Sequence, residues 1–142
     1  MKEIVMLGFL AVSVWQDLKR QEIDVWVYLV FGSLIWFCRL CSEGPLDLSR
    51  EVVNVIPGLL MVALSRWSGG ALGEGDGWFF VVSGIMLGFY RNTAAITAGI
   101  LFCGLWCGGM FVWNRRKGIG SAGKTVPFLP FAALGVMGSW LV

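Results

Sequence analysis

Six apolar stretches, joined by polar linkers as short as two residues, take up almost all of this 142-residue chain: 4–15, 25–41, 52–67, 78–90, 93–113 and 125–142. A helix that crosses a bilayer takes roughly 20 residues, so six crossings commit about 120 residues and leave about 22 for every loop. No extramembrane domain of any size fits in that remainder. Charged residues are only 14% of the chain and mean hydropathy is +0.76, whereas a soluble domain carries about 25% charged residues. A chain this small cannot fold so much apolar surface away from water. The expected fold is all-α, a polytopic membrane protein with about six transmembrane helices forming one membrane-embedded domain over 1–142. Several stretches fall short of about 18 residues, so their polar flanks are expected to continue the helices into the headgroup region.

Histidine is absent. This removes Ser-His and Cys-His nucleophiles, His-ligated zinc and an imidazole base, so proton chemistry must come from Asp, Glu, Lys, Tyr or Cys. A net charge of +2 offers no basic surface for nucleic acid. Cys38 and Cys41 form a single CxxC, and Cys103 and Cys107 lie one helical turn apart in an apolar stretch. A structural zinc takes four ligands, so these cysteines read as small packing residues; no metal or cofactor is expected. The first stretch could be a signal peptide or a retained helix, and the apolar stretches that follow at once favour retention. Placing the N-terminus outside puts Lys19, Arg20, Arg66, Arg115, Arg116, Lys117 and Lys124 in inner loops and Lys2, Arg39, Arg50 and Arg91 outside. The positive-inside rule then gives N-out and C-out. Pro57 falls near the first turn of the third stretch, where proline costs least. Arg91-Asn92 reads as the turn between the fourth and fifth.

Under that topology Asp17 and Asp76 both lie beside apolar helix on the same, cytosolic side. An ionisable group at membrane depth is costly and marks a functional candidate. Two carboxylates held together cannot both ionise easily, so one keeps a proton while the other stays charged; such a pair can activate water and protonate a leaving amine. Plainer readings stand beside this one. Asp76 could be the N-cap of the helix that follows it, and Asp17 could pair with Lys19 or Arg20. Asp24 reads as a cap of the second helix, and Glu22 and Glu74 as solvated. Gly73, Gly75 and Gly77 around Asp76 would let an extended backbone lie close to the acid, as needed if a substrate strand docks there. The segment 68–77 is too glycine-rich for an ordinary helix and is expected to be a mobile loop that orders with substrate.

Gly73-Glu74-Gly75-Asp76 resembles the GxGD motif of intramembrane aspartic proteases, and the rest of the chain narrows the resemblance to the type IV prepilin peptidase family. Asp17, followed by Lys19-Arg20 and Ile23, resembles that family's first catalytic aspartate with its basic linker, and Asp76 its second. Residues 126–132 (VPFLPFA) are similar to the opening of its last helix. Two departures are visible: Asp24-Val25 follow Ile23 where Pro-Asn is usual, and Gly77-Trp78 follow Asp76 where a lysine usually comes soon after. The resemblance implies an endopeptidase, with Asp17 and Asp76 catalytic, that removes a short basic leader from prepilin-like membrane substrates at the cytosolic face of the cell membrane. Larger members add a cytosolic domain with two CxxC pairs, so cleavage without methylation of the new N-terminus is expected here. The alternative in another class is a noncatalytic membrane protein, a proton-relay or assembly subunit that uses the same carboxylates. Neither the prepilin system nor the oligomeric state can be read from the residues.

Overall fold

The computed structural model describes residues 2–20, 23–43, 47–69, 73–117 and 126–138. Among these it holds five helices, not six, and no strand: α1 (Lys2–Arg20), α2 (Val25–Glu43), α3 (Leu48–Trp67), α4 (Glu74–Arg116) and α5 (Leu129–Gly138). The helix count falls short of the expected six because the fourth and fifth apolar stretches belong to one 43-residue element.

That element is not straight. Asn92 Nδ2 donates to the Phe80 carbonyl at 2.9 Å, and Asn92 Oδ1 accepts from the Ser83 hydroxyl at 2.9 Å. In a straight helix twelve residues span about 18 Å along the axis, far beyond the reach of an asparagine side chain. α4 therefore folds back on itself, and the break is at Gly88, with φ 77° and ψ 170°, a backbone region open essentially to glycine alone. The second arm starts with the Phe89 N–H freed by the break, and Asn54 Oδ1 of α3 accepts it at 3.0 Å. The expected turn at Arg91-Asn92 is corrected accordingly. Asn92 is fully buried and stitches the two arms together.

The start of α3 also differs from expectation. Asp47 caps it by accepting the Ser49 N–H at 3.1 Å, so Ser49, Arg50 and Glu51 form its first turn instead of a loop. Pro57 is thereby placed in the helix interior and is buried. Glu51 is buried in an ion pair with Arg39 of α2 at 2.8 Å, and Arg39 also donates to the Ile85 carbonyl of α4. One charged pair thus ties three helices at one end of the bundle, beside Asn54 and Gly88.

α3 runs antiparallel to the first arm of α4 with the backbones nearly touching. A Cβ on Gly58 would come within 2.3 Å of the Val81 nitrogen. α5 lies on the second arm, with Gly135 against the Ala95 carbonyl. Phe9 of α1 sits fully buried at the centre, stacked on Phe79 at 5.0 Å and flanked by Phe31 and Tyr28 of α2.

α2, α3 and α4 are each long and apolar enough to cross a membrane. α5 is apolar but has ten residues, and α1 carries Asp17, Lys19 and Arg20 at its end. Trp26, Leu105 and many other large apolar side chains point outward, an exterior suited to lipid and not to water.

Candidate active site

Asp17 and Asp76, 59 positions apart in sequence, lie at the same end of the bundle, opposite the Arg39–Glu51 pair: Asp17 near the end of α1 and Asp76 in the first turn of α4. Asp17 lies near the end of α1, on the inward stripe shared with Met6, Phe9, Leu10 and Ser13, and is buried. Its Oδ2 accepts the Leu129 N–H at 3.0 Å. Leu129 opens α5, so Asp17 satisfies one of the orphan donors at that helix's N-terminus, where a negative charge is favoured. Of the alternative, pairing with Lys19 or Arg20, no ion pair to Asp17 is seen among the described residues, and the Lys19 ammonium sits over the Trp15 ring, 5.0 Å from its centroid.

Asp76 is half-buried in the first turn of α4. The N-cap position is taken by Gly73, whose backbone is extended, and no side chain caps the helix. The plain reading of Asp76 as an N-cap is therefore set aside, and its carboxylate is not occupied by the helix start.

The helix begins at Glu74, so 74–77 are helical and do not belong to the loop expected over 68–77. Residues 70–72 of the expected mobile loop lie outside the described residues. The motif's glycines stand in close contact with their surroundings. A Cβ on Gly73 would meet Asp76 Oδ2 at 2.8 Å, one on Gly75 would meet the Tyr28 hydroxyl at 3.3 Å, and one on Gly77 would meet the Val62 backbone nitrogen at 2.7 Å. The first makes room for the carboxylate and the second for a tyrosine. The third lets α3 touch the motif.

Of the other acids, Glu74 pairs with Arg66 at 2.6 Å in an exposed contact, which is worth about 0–1 kcal/mol. Asp24 is exposed and exchanges two hydrogen bonds with Gln16, joining the end of α1 to the start of α2. Among the described residues no three Cys, Asp or Glu side chains converge where they could hold a metal ion. The Cys103 and Cys107 sulfurs lie 4.0 Å apart and all four cysteines are free.

Tyr28 was not singled out by sequence. Its hydroxyl donates to the carbonyl of Gly75, the residue before Asp76, at 2.7 Å. The available signal was slight: one of two tyrosines in the chain, placed one turn into an otherwise apolar helix.

The model of the type IV leader peptidase family matches residues 4–108 of the chain. The chain belongs to this family. As a type IV leader peptidase family member it is assigned a peptidase function of that kind, and its apolar helices agree with a place in the membrane. The matched span contains Asp17, Tyr28 and the whole 73–77 motif, while α5 lies beyond it. No curated protein and no solved structure matches the chain significantly.

Proposed function

We propose that this protein is an aspartic endopeptidase of the GxGD type that removes the short basic leader from type IV prepilin-like substrates at the cytosolic face of the membrane. The observation that carries the reading is that Asp17 and Asp76 lie at the same end of the bundle, while Glu74 is paired with Arg66, Asp24 is exposed and Glu51 is paired with Arg39 at the other end. Two carboxylates so placed share one proton. The charged member draws a proton from water as it attacks the scissile carbonyl, and the protonated member donates to the leaving amine.

The same end of the bundle supports its assignment to the cytosol. Lys19, over the Trp15 ring, Arg20 and Arg66 lie at the ends of α1 and α3 there, and cations of this kind gather on the inner side of a membrane. The test is cleavage of a peptide that joins a short basic leader to a hydrophobic helix. Asp17→Asn and Asp76→Asn should each abolish cleavage, whereas Asp24→Asn, which alters only an exposed bond to Gln16, should keep most of it. Full activity in either of the first two variants rules out the dyad and leaves the noncatalytic use of the carboxylates.

A further inference from the structure

The motif aspartate is carried by a turn whose backbone is held from outside its own helix. Gly75 immediately precedes Asp76, and its carbonyl accepts the Tyr28 hydroxyl at 2.7 Å. Tyr28 belongs to α2, 47 positions earlier in the chain, and its ring meets Phe9 of α1 edge-on, 6.4 Å between centroids. Phe9 stacks on Phe79, one turn beyond Gly75 on α4. The tyrosine therefore leans on a packed aromatic group while its hydroxyl reaches the motif. A group so braced can fix a backbone carbonyl, because its own rotamer is locked by neighbours.

Gly75 is fitted to this contact. A Cβ there would stand 3.3 Å from the Tyr28 oxygen, tighter than ordinary van der Waals contact. The glycine at the middle of the motif and the tyrosine hydroxyl thus form one device.

We propose that Tyr28 is a positioning residue for the peptidase reaction: through its hydrogen bond to the Gly75 carbonyl it fixes the first turn of α4 and with it the approach of the Asp76 carboxylate to Asp17. The inference rests on the aspartic peptidase reading above. It departs from the expectation that Gly75 serves a docked substrate strand, since here the space above Gly75 belongs to the protein itself.

The experiment uses the full chain in liposomes and the same leader–helix peptide, with Asp76→Asn as the inactive control. Tyr28→Phe keeps the ring and removes the hydroxyl, and it should lower kcat roughly tenfold, the loss of about one hydrogen bond's contribution. KM should stay within about twofold, because catalytic geometry and not substrate affinity is disturbed. Gly75→Ala in the unaltered background should be comparably harmful. In the Tyr28→Phe background it should cost little more, since the oxygen it would strike is gone.

Tyr28→Phe with unchanged kcat overturns the inference while leaving the peptidase reading intact. So do fully additive losses in the double variant, which would mean that Gly75 and Tyr28 act separately. Absence of cleavage by the unaltered chain, or full cleavage by Asp76→Asn, overturns the peptidase reading and the inference with it.

Discussion

One methyl group distinguishes a flexible glycine from a close-packed one. At Gly77 the added Cβ would lie 2.6 Å from Val62 Cγ2 and 2.7 Å from the Val62 nitrogen, and a backbone atom cannot swing aside as a side-chain tip can. Gly77→Ala should therefore lower stability by about 1–3 kcal/mol, the usual cost of overpacking. A fall in melting temperature in detergent checks it; an unchanged melting temperature would mean that 77 is a plain loop position. At this scale the acids are legible, because a carboxylate beside apolar helix stands out, and Asp17 and Asp76 lie at the same end of the bundle. The glycines are legible by identity, but the contacts they make inside the protein are not. Their neighbours, Val62 and Tyr28, come from other helices, and no local pattern announces such contacts. Tyr28 stayed hidden for the same reason: its partner is a backbone carbonyl, which leaves no mark in the sequence.

Whole helices were legible by their apolar runs, but their ends were not. Polar residues read as loop, as Glu51 and Asn92 do, are instead built into the packing, and so is Asn54 within the third apolar stretch. Glu51 lies inside the first turn of α3 with Arg39, Asn54 caps the second arm of α4, and Asn92 is sealed between the two arms. Each satisfies a buried polar group that lipid could not. The reversal of α4 is set by Gly88 together with these two asparagines. Gly88→Ala should cost on the order of 1–3 kcal/mol, because a side chain at φ 77°, ψ 170° is strained. Substituting alanine at Gly104, where a Cβ would meet nothing within 4 Å, serves as the control and should leave the melting temperature unchanged. Equal melting temperatures for the two variants would contradict a glycine-dependent reversal.

Across the whole molecule, side-chain chemistry divides between the two ends of the bundle: carboxylates, Tyr28 and the cations that end α1 and α3 at one, the Arg39–Glu51 pair and the α4 reversal at the other. The proposed orientation puts the carboxylate end in the cytosol. In a cysteine-free background, Ser42→Cys should react with an impermeant thiol reagent in intact cells and Lys117→Cys only after permeabilisation; labelling of both from outside refutes it. Belonging to a membrane was the most legible property of all, since it follows from composition alone, while the fold-back within α4 needed contacts between residues in different helices. The bond from the Leu129 N–H to Asp17 carries a consequence for biosynthesis. It joins residues 112 positions apart, so α1 leaves the ribosome long before the helix that completes its partner's setting. Until α5 has been made and has docked, the Asp17 carboxylate lacks a hydrogen bond it holds in the finished fold, and the site cannot take its final form. On the proposed reading, a nascent chain with four helices in the bilayer is thus still an unfinished protease, and the order of synthesis itself delays the moment at which the proposed substrates could be cut.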